Sequence, residues 1–203
     1  RLISASTTAG NSDSIQIGVQ FRLKPEWKVY WRSPGDAGFP PQLDWSGSTN
    51  VADAKIAWPV PKRFSVLGLE TLGYKNEVVF PVKIKPLSQG GEVLVEAHLR
   101  YLTCNDICIP YDAKLSLRLP SGAQQPSEFA HLINQYRSNV PGSSQVHGYQ
   151  FVSTSVTETN DKAVIRITLN TKEPLSSPDA FFEGPRELAF SKPTFTYSED
   201  RRS

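Results

Sequence analysis

The chain has no methionine, only two cysteines and only three histidines in 203 residues. Without methionine it lacks the thioether that soft copper sites often recruit. One cysteine pair, with no second pair elsewhere, falls short of the four ligands a structural zinc site wants. Metal binding is therefore a minor reading, and no cofactor is expected. There is no basic run interleaved with aromatics, and the net charge is +2, which gives no footing to a nucleic-acid partner or an anionic membrane surface. No apolar run approaches the roughly 20 residues of a membrane span, so direct membrane insertion of this segment is not expected. A phosphate-cradling glycine loop, a metalloprotease helix and an N-terminal signal pattern are all missing. Because the chain starts at Arg1 and carries no methionine, it reads as a processed or excised segment, and the missing signal carries no information. A nucleophilic hydrolase also lacks its base. His98 lies about 20 Å along a strand from Cys104, while His131 and His147 read as solvated surface histidines.

The composition does supply a core, with 38% hydrophobic residues, and one stretch concentrates the chemistry. From Val93 to Leu119 the chain reads VLVEAHLRYLTCNDICIPYDAKLSLRL and holds both cysteines, Cys104 and Cys108, in a C-x-x-x-C spacing. Val93, Val95, Ala97, Leu99 and Tyr101 alternate with Glu96, His98 and Arg100; Ile109, Tyr111, Ala113, Leu115 and Leu117 alternate with Asp112, Lys114, Ser116 and Arg118. A period of two marks strands with one buried face. By the same parity both sulfurs fall on the polar face. Residues four apart on a straight strand are about 13 Å apart, whereas a disulfide needs Cα atoms within roughly 4.4–6.8 Å. The chain must therefore turn at Asn105-Asp106-Ile107, with Asn and Asp favoured there, which puts a short-loop bridge at a hairpin tip. Closing so small a loop stabilises the fold by only about 2 kcal/mol, against nearly 5 for a loop of a hundred residues. An exchange-competent pair, a structural staple and a metal site all remain open on these grounds.

Elsewhere, Ile15 to Leu23 reads as a strand, and Trp27, Val29 and Trp31 share one face of a short strand before a turn at Ser33-Pro34-Gly35-Asp36. The tryptophans suit core packing or the docking of a partner. Val51 to Trp58 reads as a strand. The segment from Pro61 to Glu77 reads as a loop in which Gly68 and Gly73 bracket Leu69, Glu70, Thr71 and Leu72, as a lid or as residues tucked into the core. Pro81 demotes the strand from Glu77 to Ile84 to an edge. After Pro120 a polar connector leads to a short helix, with Ser127 able to cap it and Phe129, Leu132, Ile133 and Tyr136 at helical spacing. That helix reads as a linker or as packed on the first domain. Strands resume at Tyr149 to Thr157 and Ala163 to Leu169 around a turn at Asn160-Asp161, with shorter ones near Phe181 and from Thr194 to Tyr197. The domains are then 1–122, a linker 123–145, and 146–203.

The runs Trp27-Lys28-Val29-Tyr30-Trp31, Ser33-Pro34-Gly35-Asp36-Ala37-Gly38, Ile56-Ala57-Trp58-Pro59, Pro61-Lys62-Arg63-Phe64, Gly73-Tyr74, and Tyr101 to Cys104 through Cys108-Ile109-Pro110 carry a resemblance. Over about the first 140 residues the chain resembles the N-terminal periplasmic domain of the DsbD family, closest to its ScsB branch, named for suppression of copper sensitivity. The resemblance implies an all-β fold, an immunoglobulin-like β-sandwich followed by a second such domain, here with too few strands to close before Ser203. It also implies a thiol-disulfide oxidoreductase (protein-disulfide reductase) and a monomeric, soluble periplasmic domain of an inner-membrane protein. Such a domain takes electrons from the membrane-embedded domains of the same polypeptide and passes them to thioredoxin-like partners, ScsC in the ScsB branch. On this carry-over Cys104 and Cys108 are the redox pair, Cys108 forms the mixed disulfide with the partner, and Leu69, Glu70, Thr71 and Leu72 correspond to a cap over it. The intercysteine spacing is shorter than in DsbD, and the cap tip has no evident aromatic.

Overall fold

The computed structural model describes residues 1–66, 68–142, 148–159, 162–185 and 188–203. The chain divides into two units, Arg1–Pro141 with Gly184–Ala189, and Gly142–Glu183 with Phe190–Ser203. The first runs β1 (Leu2–Ser4), β2 (Ile15–Arg22), β3 (Lys28–Gly35), β4 (Gln42–Asp44), β5 (Asp53–Ile56), β6 (Lys62–Val66), β7 (Leu69–Lys75), β8 (Glu77–Lys85), β9 (Val93–Cys104), β10 (Cys108–Leu119) and α1 (Ala130–Ser138). The second contains β11 (Tyr149–Glu158) and β12 (Ala163–Thr171).

Two sheets make the first unit an immunoglobulin-like sandwich. One has the order β1-β2-β8-β5; the other runs β10-β9-β3-β7-β6, with β4 paired to β9. Alternation explains β9, whose Val93, Val95, Ala97 and Leu99 are buried while Glu96 and Arg100 are exposed. The sheets meet through aromatic side chains: Phe80 and Phe21 from the first sheet touch Tyr74 and Tyr101 from the second, at 5.3 and 5.0 Å between ring centres. Trp58 lies 4.6 Å from Phe80, and Val29 and Trp31 are buried, so these aromatics serve the core.

β8 departs from alternation because Val78, Val79 and Phe80 are all buried. Such a run marks a strand covered on both faces, and α1 provides the second cover, Ile133 packing fully buried against Val79 and Ile3. Ser127 ties the helix start to β1: its hydroxyl accepts the Phe129 N–H at 3.0 Å and donates to the Ser4 carbonyl. The helix thus belongs to the first unit. Pro81 does not make β8 an edge strand, since β8 lies between β2 and β5. The Pro81 carbonyl accepts Ala57 N–H at 2.7 Å, so the missing donor faces the β5 side just where β5 ends at Ile56, and no ladder bond is lost from β2.

Three further expectations change. The segment 61–77 is a hairpin, β6 and β7, rather than a loop. The turn placed at Ser33 to Asp36 is a continuation of β3 to Gly35, with a bulge between Tyr30 and Gly35. In the second unit β11 and β12 pair, with a bulge between Phe151 and Ser153, but the described residues near Phe181 and from Thr194 to Tyr197 form no strand. The tail instead bonds along the hairpin's exit, Thr171 N–H to the Arg202 carbonyl at 2.8 Å. The turn at Asn160-Asp161 and His147 lie outside the described residues.

Ile133→Ala should destabilise the protein by about 2–4 kcal/mol, since it empties a fully buried contact between helix and sheet; urea unfolding measures it. The Tyr74 hydroxyl donates to the Pro59 carbonyl at 2.7 Å, and burial pushes its pKa well above the ordinary tyrosine value. The fold holds the neutral phenol, so stability is unaffected below about pH 10, the unfolded value, and falls as pH rises beyond it. Tyr74→Phe should cost about 1 kcal/mol at neutral pH through the lost hydrogen bond, and should flatten the loss seen between pH 9 and pH 11 in urea titrations.

Candidate functional site

β9 and β10 pair without interruption from Val93↔Leu119 to Cys104↔Cys108. The register therefore ends with the two cysteines directly opposite, their Cα atoms 4.1 Å apart and their sulfurs bonded. Asn105, Asp106 and Ile107 make the turn, closed by the Asn105 N–H donating to the Ile107 carbonyl at 3.0 Å. The position predicted for the bridge is the one observed.

Its exposure is not as predicted. Both sulfurs were expected on the polar face, yet Cys104 is 0% exposed while Cys108 is exposed. The parity itself holds, because Leu102 and Cys104 continue the row of Glu96, His98 and Arg100. What changes is the cover over that row at its hairpin end. Cys104 lies in one buried cluster with Tyr30 and Val66, against which Leu102 packs. β3 runs alongside with Lys28 opposite Cys104 and Val29 opposite Thr103, which carries Tyr30 to the same face beside Leu102. Burial holds the Tyr30 phenol above its ordinary pKa, so it is neutral at physiological pH.

The Ser33 to Gly38 motif explains how this wall is held. After β3 the chain doubles back over Tyr30, and Gly38 (φ +120°) sits so close that a Cβ there would run into the ring. Asp36 grips the neighbouring hairpin, its N–H donating to the Glu70 carbonyl at 2.9 Å and its carboxylate accepting the Glu70 N–H at 3.1 Å. Arg63 forms an ion pair with the Glu70 carboxylate.

Of the four residues assigned to the cap, Leu69 is 45% exposed, Glu70 is half-buried, and Thr71 and Leu72 are buried. From the β6–β7 hairpin it is Val66 that joins the buried cluster of Tyr30 and Cys104; Leu67 lies outside the described residues. Sequence reasoning missed Tyr30, Val66, Lys28, Asp36 and Gly38. The motif runs contain four of them, but their role depends on which strand lies beside β9, which no local pattern reveals. His98 is not at the site: its Nε2 lies 2.6 Å from Asp112 on the exposed face, and His131 is exposed on α1.

Residues 3–120 match the family described as thiol:disulfide interchange protein DsbD, N-terminal. The chain belongs to the DsbD N-terminal family. Residues 139–202 match a domain of unknown function, DUF8393. Among solved structures, the N-terminal periplasmic domain of ScsB from Proteus mirabilis is similar at a TM-score of 0.73 and 28% identity, over 94% of this chain and 72% of that one. The reduced N-terminal domain of DsbD from Neisseria meningitidis gives a TM-score of 0.34 and 14% identity, over 62% of this chain and 88% of that one. A comparison with curated proteins gives no match. The DsbD family's chemistry is thiol-disulfide exchange, and this member has a cysteine pair able to form the required disulfide.

Gly38→Ala should destabilise the first unit by about 1–3 kcal/mol, because the added methyl meets the Tyr30 ring at a backbone angle disfavoured for L-residues. It should also speed reduction of the bridge by dithiothreitol, since the wall over Cys104 is displaced; stopped-flow reduction kinetics and a thermal melt check the two effects.

Proposed function

We propose that this is a periplasmic thiol-disulfide relay domain, taking electrons from a membrane-embedded reductase domain of its own polypeptide and passing them to thioredoxin-like partners of the ScsC kind. The observation that carries the reading is the asymmetry of the pair: one exposed cysteine and one buried, bridged at the end of a DsbD-family hairpin. The periplasmic location follows the ScsB relative, itself a periplasmic domain. A link to copper tolerance follows from the resemblance to the ScsB branch.

The chemistry divides between the two cysteines. In the reduced domain the Cys108 thiolate attacks a partner's disulfide in line, giving a mixed disulfide and one partner thiol. Cys104 then loses its proton and attacks the Cys108 sulfur, the bond to the partner breaks, and the partner leaves as a dithiol with two electrons and two protons. Exposure suits Cys108 to the first step, and adjacency at 4.1 Å between Cα atoms suits Cys104 to the second. Leu69 to Leu72, on the hairpin that also carries Val66, act as the cover that keeps other disulfides from the pair. With only two cysteines in the chain, every step must pass through them.

Cys108→Ser should abolish electron transfer from the reduced domain to an oxidised thioredoxin-fold acceptor, and Cys104→Ser should trap the mixed disulfide, visible as a higher-mass band on non-reducing gels. Transfer at the native rate in Cys108→Ser would defeat the proposal. A structural bridge would show itself differently, by resisting mild reductant until the protein unfolds.

A further inference from the structure

Lys28 is unusual in its surroundings. The residue is only 9% exposed, and a lysine so buried normally has a carboxylate partner. Among the described residues no carboxylate lies within ion-pair distance of it; Glu26, bonded to Lys75, is near enough only to feel its charge, and the Lys28 ammonium rests over the Phe64 ring, 5.7 Å from the centroid. The β3 register sets Lys28 directly opposite Cys104, and paired residues on antiparallel strands share a face with Cβ atoms about 4.5–5.5 Å apart. The four-carbon stem gives the ammonium reach to either neighbour across β3.

The buried cysteine is the one that needs a cation. An apolar wall of Tyr30, Val66 and Leu102 disfavours a thiolate, because burial penalises the charged form. Yet the resolving step requires Cys104 as a thiolate. The other charged groups on this face are engaged or exposed to solvent. From β7, Lys75 bonds Glu26 at 3.0 Å and shares the Phe64 ring at 5.4 Å. From β6, Lys62 is exposed; from the turn, Asp106 is exposed and carries the wrong sign. Further along β9, Arg100 is exposed and donates to Gln42 at 3.1 Å. Tyr30 is neutral, and Glu70 points to the other face, paired with Arg63.

We propose that Lys28 is a positioning residue for the resolving step: parked on Phe64 while the bridge is closed, it supplies the positive charge that makes Cys104 a thiolate once the bridge is open. This rests on the relay reading for the order in which the cysteines act. Cys104 loses its proton to solvent, its sulfur bonds to the sulfur of Cys108, and the electron pair of the broken bond leaves on the departing thiolate.

The reduced 203-residue protein with 5,5′-dithiobis(2-nitrobenzoate) separates the steps. A first, reagent-dependent phase releases one thionitrobenzoate as Cys108 is capped; a second, reagent-independent phase releases another as Cys104 displaces the cap. Lys28→Met should slow the second phase about tenfold at pH 7 and raise its pH midpoint by about one unit, the factor expected for losing one nearby opposite charge. Lys28→Arg, which keeps the charge, should remain close to native. An unchanged second phase in Lys28→Met overturns the proposal, as does equal slowing in Lys28→Arg, which would point to lost packing. Lys28→Gln gives the same comparison should the methionine disturb the fold. Transfer that survives in Cys108→Ser would overturn the relay, whereas these two phases report on Lys28 whatever the natural partner.

Discussion

The register of the β9–β10 hairpin is the constraint on which the site depends. An uninterrupted antiparallel ladder from Val93 to Cys104 leaves no slack at its end, so the two cysteines face each other whether or not their sulfurs are joined. Bridging such a short loop contributes only about 2 kcal/mol in the loop-entropy picture. The sandwich beneath is held by other means, by the aromatic contacts of Phe21, Phe80, Tyr74 and Tyr101 and by the docking of Ile133. A bridge that adds little to stability and whose partners stay adjacent when it opens can be broken and remade without unfolding, which a long-loop staple cannot.

Opening alone would give two equivalent thiols, and the wall removes that equivalence. Cys104 lies in a cluster with Tyr30, Val66 and Leu102, contributed by three strands of the outer sheet face, whereas Cys108 begins an edge strand. On the relay reading, an incoming disulfide would meet Cys108 first, because side chains block the approach to Cys104. On that reading the same apolar wall, which disfavours charge, would give selectivity in the first step at the expense of ease in the second. The proposed compensation is Lys28, directly opposite Cys104 on β3.

Much of this was legible in the residues. Strict alternation located β2, β9 and β10, the spacing of Phe129, Leu132, Ile133 and Tyr136 located α1, and the disulfide's distance requirement located the turn at Asn105 to Ile107. What failed did so for tertiary reasons. Parity assigned Cys104 to the right face, but whether that face meets water depends on Tyr30 and Val66, some 74 and 38 positions earlier. Gly73 read as a hinge, yet it is a close approach within a strand: a Cβ there would strike the Val29 carbonyl of β3. Pro81 read as an edge marker because the side on which its missing N–H points is set by where β5 ends. Apolar residues around Phe181 and Thr194 to Tyr197 suggested strands, but β propensity without a pairing partner does not make one.

The Ser33 to Gly38 motif links wall and cover into one device. Gly38 backs the Tyr30 ring, and two residues earlier Asp36 makes both a backbone and a side-chain hydrogen bond to Glu70 on the covering hairpin. Displacing the tip of the hairpin would therefore cost roughly the two hydrogen bonds, about 1 kcal/mol each net of water, plus the burial of Val66 in the cluster with Tyr30 and Cys104, about 1.5–3 kcal/mol. A total of about 3.5–5 kcal/mol would leave the pair covered more than 99% of the time by the Boltzmann relation, yet docking a partner of ordinary affinity, worth about 8 kcal/mol at micromolar Kd, would be enough to lift it. On the relay reading such a cover would hold off chance collisions with small disulfides and yield to a partner that binds the surface around it, so discrimination would come from docking energy rather than from the reactivity of the sulfurs.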